Sequence, residues 1–149
     1  MSCQLLMMEP PVRLKPTDPV ARAVGALLAA GQPAAPVTDG TGRLLGVFGL
    51  KEAAALVLPM AARLGEDLGD LAYIHESLAD LSARFAAHAA EPVGDHMAER
   101  PALSPHTQAM EALLLLERGD GFLPVVDEAG VLVGVVTAAR ALATVSEGR

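Results

Sequence analysis

The hydrophobic positions of the chain form two blocks that predict the same series of elements. In each block an apolar stripe at helical spacing ends at a glycine, Gly31 in the first block and Gly119 in the second. Two apolar strand candidates and a further short helix follow that glycine in both blocks. With a short extended segment in front of the first helix, each block predicts a β-α-β-β-α unit of about 45 residues.

Residue chemistry sets the expected boundaries of these elements. Asp18 before Pro19 is typical of an N-cap followed by a proline at the first helical position. Thr137 is expected to cap the last helix in the same way. Residues 39–42 and 127–130 have turn chemistry and separate paired strands. The pattern predicts strands over 35–38, 44–48, 122–126 and 131–136, and helices ending at Gly31 and over 51–58, 107–118 and 137–145.

The two blocks also match residue by residue, so the chain contains an internal repeat. Equivalent residues are separated by 89 positions at first and by 88 after one residue is lost. Several matches fall on glycines and prolines, which a shared richness in Ala, Leu and Val does not explain. The matched pairs are Met8 and Met97, Leu14 and Leu103, Pro16 and Pro105, Ala23 and Ala112, Gly31 and Gly119, Pro36 and Pro124, Val37 and Val125, Asp39 and Asp127, Gly42 and Gly130, and Gly46 and Gly134.

A connector separates the two motifs, which we place at residues 1–57 and 96–149. The connector, residues 58–95, is too long for a plain loop. Ile74, Leu78, Leu81 and Phe85 predict an amphipathic helix that ends before Pro92. Glu76, Asp80 and Arg84 lie on its other side and include an acid–base pair at i,i+4. The apolar stripe needs a groove, either in its own chain or in a partner's.

The composition and the apolar runs indicate how the hydrophobic side chains are shielded from water. The chain has 149 residues, of which 52% are hydrophobic and 19% charged, and its mean hydropathy is +0.38. The longest uncharged apolar run near the middle, residues 53–62, is interrupted by Pro59 and is shorter than the ~20 residues that span a bilayer. Residues 1–11 lack the pattern of a signal peptide. We therefore expect burial within the chain and in a homodimer, without membrane contact.

Charge and cysteine content exclude further classes. A formal net charge of −7 and the absence of a basic stripe argue against nucleic acid. With no Trp, one Tyr and three Phe, platforms for base stacking are also lacking. Cys3 is the single cysteine, so no intrachain disulfide forms and the cytoplasm is the expected compartment. We expect its thiol to be exposed and uninvolved.

Three stretches recur in both motifs. In the second motif they are MAERPALSP (97–105), LPVVD (123–127) and GVLVGVVT (130–137). In the first motif they are LKPT (14–17), APVTD (35–39) and GRLLGVF (42–48). These stretches resemble the CBS-domain pair, also called a Bateman module. The resemblance rests on their occurrence in both motifs with glycines and prolines at matched positions, and the connector lies outside it.

The resemblance implies a mixed α+β (α/β) fold of tandem β-α-β-β-α repeats. The two repeats pack face to face with pseudo-two-fold symmetry, and a helical insert lies between them. It also implies a regulatory module without catalytic residues or a required cofactor, which dimerises and signals to a protein partner that the sequence does not identify. Many such pairs bind adenosine-containing ligands in the clefts between motifs, so AMP, ADP, ATP and S-adenosylmethionine are the candidate ligands.

In the family, a Thr or Ser hydroxyl holds phosphate and an Asp three residues later holds the ribose. The second motif has Thr137 but carries Arg140 at the acid position, and the first motif has Gly49 but keeps an acid as Glu52. Thr137 and Arg140 suit an anion, and Glu52 suits a ribose diol. A structural role is equally open, since Thr137 can be an N-cap, Arg140 a solvated residue and Glu52 a helix-start acid. The candidate ligand-binding residues are Leu103, Phe122, Leu123, Pro124, Thr137, Arg140, Leu14, Ala35, Gly49 and Glu52.

Other chemistry is not indicated by the sequence. The histidines His75, His88, His96 and His106 show no compact ligand spacing, so no metal site is expected. Phosphate-loop, dinucleotide-binding and nucleophile-elbow motifs are also missing from the sequence. Two alternatives to a sensing function remain: a ligand-free dimerisation module and, remotely, a small enzyme of unrecognised type.

Overall fold

Two small antiparallel sheets with helices packed around them form the molecule. The computed structural model describes residues 1–59 and 75–148. Its longest α-helices have 11 residues, and none in this described part of the chain could cross a membrane. The elements are a 3-10 helix (Cys3–Leu6), α1 (Val20–Ala30), β1 (Ala34–Thr38), β2 (Leu44–Gly49), α2 (Leu50–Val57), α3 (Leu78–His88), a 3-10 helix (Val93–Asp95), α4 (Ala109–Arg118), β3 (Phe122–Val126), β4 (Leu132–Thr137) and α5 (Ala138–Glu147).

The two repeats fold alike down to the register of their strands. β1 pairs with β2 and β3 with β4, and each ladder has one irregularity at the equivalent place. The extended segment before the first helix of each repeat adds a parallel bridge, Leu14 to Val37 and Leu103 to Val125. Each repeat is therefore the β-α-β-β-α unit that the sequence predicts, and the mixed α/β fold is confirmed.

The repeats exchange their leading segments across the pseudo-two-fold axis. Met8 exchanges two backbone hydrogen bonds of 2.9 Å with Val135 in β4. Ala98 does the same with Val47 in β2, at 2.8 and 2.9 Å. Each motif thus adds a short antiparallel bridge to the other motif's sheet, which ties the two units together.

This close approach explains why glycine recurs at one strand position in both repeats. A Cβ atom added at Gly46 would lie 3.0 Å from Sδ of Met97, and one added at Gly134 would lie 3.2 Å from Cε of Met7. Both distances are tighter than ordinary van der Waals contact. Glycine at these two positions lets the exchanged segment reach the strand backbone.

The buried side chains form three clusters. One fills the first motif, with Phe48 and Leu27 fully buried, and one fills the second, with Val125 and Val136 at its centre. The third lies between the sheets and joins the motifs through Ala34, Val47, Phe122, Leu132 and Val135. A unit of this size buries little apolar surface alone, so the shared cluster is the physical reason that the repeats occur as a pair.

Three details of the sequence interpretation are corrected at the helix ends. The N-cap of α1 is Pro19, not Asp18, because the Asp18 carboxylate already accepts the backbone N–H of Lys15 at 2.8 Å. Helix α4 begins at Ala109, two residues later than expected, because Thr107 closes a turn by accepting the N–H of Ser104. Helix α5 extends to Glu147, and Gly148 ends it in the left-handed conformation.

The expectation of an exposed thiol was wrong. Cys3 has no exposed surface, and its Sγ donates to the carbonyl of Ser104 at 3.2 Å. Burial raises the pKa of the Cys3 thiol, although the backbone opposes that effect. The 3-10 helix that carries it packs on the second motif, because the N–H of Ala109 bonds the carbonyl of Met1.

Helix α3 includes Leu78, Leu81 and Phe85 of the stripe expected in the connector, while Ile74 lies outside the described residues. Phe85 packs against the core of the first motif, so this part of the helix contacts its own chain. Leu78 is exposed, and Leu81 and Phe85 are only partly buried. The expected i,i+4 ion pair between Asp80 and Arg84 is replaced by another. Arg84 pairs with Glu76 at 2.7 Å, while Asp80 forms a capping box with Ser77.

Candidate functional site

A cleft of about 280 Å³ lies where the two motifs meet. The first turn of α2 contributes Lys51 and Glu52 from the first motif. The second motif contributes its leading segment, residues 98–101, and the region from the end of α4 to the start of β3. The cleft therefore has walls from both motifs and is placed to respond to their relative position.

Arg100 joins the two sides of this cleft. Its Nη2 donates to both oxygens of Glu52, at 3.0 and 3.2 Å, and to Oδ2 of Asp120. The three side chains are only 10%, 11% and 19% exposed, in the order Arg100, Glu52, Asp120. The other terminal nitrogen, Nη1, is buried and makes no hydrogen bond within the described residues. A buried donor without a partner is costly, so an anionic or carbonyl oxygen that reached Nη1 would gain a charge-assisted hydrogen bond.

Glu52 also closes the start of α2. Its Oε1 accepts the backbone N–H of Gly49 at 2.8 Å, which caps the helix. Within the part of the chain that the structure describes, Oε1 therefore accepts from two donors, while Oε2 accepts only from Arg100. A carboxylate offers about four acceptor positions. Oε2 can thus accept one more hydrogen bond from a hydroxyl.

Packing explains why the hydroxyl expected in the first motif is missing. A Cβ atom added at Gly49 would lie 2.7 Å from both Cβ of Ala34 and the carbonyl oxygen of Pro33. Real side-chain atoms do not approach so closely, so no Thr or Ser fits there while Pro33 and Ala34 keep their places. In the second motif Gly121 and Phe122 occupy the places of Pro33 and Ala34, and Thr137 occupies that of Gly49.

Thr137 is the N-cap that the structural interpretation predicts. Its Oγ1 accepts the backbone N–H of Arg140 at 3.1 Å, and the residue is 4% exposed. The Arg140 side chain is exposed. The hydroxyl oxygen therefore helps to start α5.

The pseudo-two-fold symmetry of the fold is broken at the cleft. Three positions of the first cleft, those of Glu52, Arg100 and Asp120, form the ion network. Their equivalents in the repeat are Arg140, Pro11 and Gln32. These residues cannot form such a network, because the acids and the buried cation are lost. The two related sets of positions are therefore chemically different, although the strands beside them pair in the same register.

The structure brings together only part of the residue set expected from the sequence. Of the candidates, Glu52, Phe122 and Leu123 line the cleft. Leu14, Ala35, Leu103 and Pro124 are buried in or beside the strands of the two motifs, Gly49 is buried against Ala34, Thr137 caps α5, and Arg140 is exposed.

Sequence reasoning missed five charged residues of the cleft, which are Lys51, Glu99, Arg100, Arg118 and Asp120. One sequence signal pointed to two of them: the charged pair Glu99 and Arg100 interrupts the leading segment immediately before Pro101. The exchange of leading segments brings it to α2, and the sequence does not reveal that exchange.

A family model described as the CBS domain matches residues 3–58 and 93–147. The chain belongs to the CBS domain family. The two matches coincide with the two repeats, so the chain is a CBS pair. No curated protein sequence matches it.

Solved structures agree with this fold. A CBS domain-containing protein of unknown function from Bacillus anthracis has a TM-score of 0.73 at 18% identity, over 100% of this CBS pair and 95% of that chain. The CBS-pair protein CBSX2 from Arabidopsis thaliana has a TM-score of 0.73 at 22% identity, over 98% and 94%. A structure of CBSX2 in complex with AMP has a TM-score of 0.70 at 23% identity, over 99% and 98%. At these identities the likeness shows the fold of the CBS pair.

Proposed function

We propose that this CBS pair is a regulatory module, not an enzyme, which binds one adenosine-containing nucleotide in the cleft between its motifs. The observation that supports it most is the buried Nη1 of Arg100, which lacks a partner among the described residues beside Glu52 at the meeting point of both motifs. The AMP complex of CBSX2, a protein of the same fold, supports the choice of ligand. AMP, ADP, ATP and S-adenosylmethionine are the candidates, and no catalytic cofactor is required.

The chemistry of the cleft suits the parts of a nucleotide. Arg118 and Lys51 lie at its rim and, with Nη1 of Arg100, provide cationic donors for phosphate. Oε2 of Glu52 has an acceptor position for a ribose hydroxyl. The apolar wall of Leu115 and Pro101 suits a base. The cleft volume is near the lower end for small-molecule sites, which favours a mononucleotide.

Binding there would act on the contact between the motifs. Arg100 comes from the leading segment of the second motif and holds Glu52 of the first. A ribose that bonds Glu52 and a phosphate that bonds Arg100 would compete with this pair or tighten it. A ligand shifts a conformational equilibrium by its difference in affinity for the two states, so a change at this pair is a direct way to alter the relative position of the motifs. A protein partner would respond to that change.

Calorimetric titration of the full chain with AMP, ADP, ATP and S-adenosylmethionine tests the proposal. We expect one molecule of ligand per chain. Lys51→Gln removes one charged contact to phosphate and should weaken binding by about tenfold or more. Lys15→Gln makes the same chemical change on an exposed lysine outside the cleft and should leave the affinity unchanged. At about 100 times its dissociation constant, the ligand should also stabilise the fold by ~2.7 kcal/mol.

Failure of all four ligands to bind a folded chain would contradict the nucleotide proposal. It would favour the ligand-free alternative, which one observation already supports: Arg100 and Gly49 occupy most of the acceptor positions of Glu52. Two equivalent sites per chain, or an equal loss of affinity in Lys15→Gln, would contradict the assignment to this cleft.

We also propose that the module works in the cytoplasm as a homodimer. Large apolar side chains on α4 and α5 are exposed in the single chain: Met110 is 81% exposed, Leu142 61% and Val145 53%. Leu113, Leu116 and Leu142 line an apolar groove between these helices, which a second copy would cover. Sedimentation at several concentrations should show a dimer that Leu142→Glu dissociates. A monomer at every concentration would refute this part.

A further inference from the structure

A cluster of two imidazoles and one carboxylate lies at the junction between the connector helix and the second motif. His88 is the last residue of α3, Glu91 follows three residues later, and His96 follows the 3-10 helix Val93–Asp95. One ligand atom from each of the three residues lies within 4.8 Å of the others. The cluster is separate from the nucleotide cleft, since none of these residues lines it.

We propose that His88, Glu91 and His96 bind a divalent transition-metal ion of the zinc class. Two imidazole nitrogens and one carboxylate oxygen are a common ligand set for Zn²⁺ with an open fourth position for water. Nε2 of His96 lies 2.9 Å from Oε1 of Glu91, and Nδ1 of His88 contacts the same oxygen. Zinc ligands at bond lengths of about 2.0–2.2 Å lie somewhat farther apart, so shifts of roughly 1 Å would admit the ion.

The backbone around the cluster fixes the positions of the three side chains. The carbonyl of Glu91 accepts the N–H of Val20 at 2.9 Å, which ties the segment to the start of α1. Val93 is fully buried in the core of the first motif, and the N–H of His96 bonds its carbonyl at 3.0 Å. Ligands held in this way lose little freedom when an ion binds, which favours affinity.

The site is open to solvent on one side. The side chains of His88, Glu91 and His96 are 32%, 42% and 20% exposed. An ion can therefore enter without unfolding, and water can complete its coordination. A bound ion would fasten the end of α3 to the segment that opens the second motif. Metal binding would then stabilise the connector where it meets both motifs.

Calorimetric titration of the tag-free, chelator-treated chain with Zn²⁺ tests the site. We expect one ion per chain, and affinity at least about tenfold weaker in His88→Ala, Glu91→Gln and His96→Ala. His106→Ala removes an exposed histidine elsewhere and should bind like the unmodified chain. Titration with Co²⁺ should give the visible bands of a tetrahedral site, and these bands should be lost in the same three variants.

A measurement on the unmodified chain keeps the test independent of how the variants fold. Zn²⁺ should perturb the imidazole NMR signals of His88 and His96 and leave those of His75 and His106 in place. No saturable binding, perturbation of His106 instead, or binding that survives all three variants would overturn the proposal. The three side chains would then be a hydrogen-bonded cluster without a metal.

Discussion

Replacing Arg100 by methionine tests whether the network in the cleft holds the two motifs together. Methionine keeps much of the apolar stem of Arg100 and removes the guanidinium, along with the two bonds to Glu52 and the bond to Asp120. Two carboxylates with little exposed surface then face each other without a cation. We therefore expect the variant to be less stable and not merely altered at the surface.

The structure sets the size of the effect. Breaking a buried ion pair by removing one partner costs about 3–5 kcal/mol. Glu52 is 11% and Asp120 19% exposed, so water relieves part of the penalty and we expect a loss of about 3 kcal/mol, the low end of that range. Domains of this kind have roughly 5–15 kcal/mol of stability, so the variant should still fold.

Urea unfolding followed by circular dichroism measures the loss, and the triple variant Arg100→Met, Glu52→Gln, Asp120→Asn provides the control. The side-chain amide oxygen that Glu52→Gln introduces would still accept the N–H of Gly49, so the helix cap survives while the unpaired charges disappear. We expect the triple variant to recover at least ~1 kcal/mol relative to Arg100→Met, because residues of one network are not additive. If Arg100→Met lowers the free energy of unfolding by less than about 1 kcal/mol, the buried network is refuted. A triple variant less stable than Arg100→Met would refute it as well.

Further variants test the packing, the helix cap and an acid group. Gly49→Thr introduces the family's hydroxyl but places Cβ too close to the carbonyl oxygen of Pro33. Calorimetry should therefore show that the free energy of unfolding falls by about 1–3 kcal/mol, and an equally stable variant would refute the clash. Thr137→Ala removes the N-cap of α5, so the free energy of unfolding measured in urea should fall by about 1 kcal/mol. The affinity for AMP should stay unchanged, and a loss of affinity would show that Thr137 contacts the ligand. Hydrogen bonds from the side chain and backbone of Thr41 lower the pKa of the Asp39 carboxyl in the folded chain. The ionised carboxylate therefore stabilises the fold above its unfolded pKa of about 4, and this stabilisation is lost as the pH falls through the lower folded pKa. The difference in Tm between the unmodified chain and Asp39→Asn should therefore shrink below about pH 4, and a constant difference would contradict this.

The repeat made the fold predictable from the sequence. Helical stripes, turn residues and matched glycines depend on neighbours within a few positions, and they gave the order and approximate bounds of the elements. The match of Gly46 with Gly134 had a further cause, which is the close approach of the exchanged segments. That exchange is a long-range event, so the sequence predicted two packed units but not which segment joins which sheet.

The site was less predictable because its chemistry depends on that exchange. Arg100 reaches Glu52 only because the leading segment of the second motif lies against the first. The same limit applies to Cys3, whose burial against the second motif cannot be read from its place near the start of the chain. His88, Glu91 and His96 lie close in sequence, but their spacing matches no simple helical pattern. The turn after α3 brings them together.

A crystal structure of the full chain grown with AMP would show whether the nucleotide binds between the motifs. We expect one AMP per chain in that cleft, with a ribose hydroxyl on Oε2 of Glu52 and a ligand oxygen on Nη1 of Arg100. AMP at Thr137 and Arg140 instead, or AMP at both symmetry-related positions, would contradict the assignment to a single cleft. An empty cleft at saturating AMP would contradict AMP as the ligand.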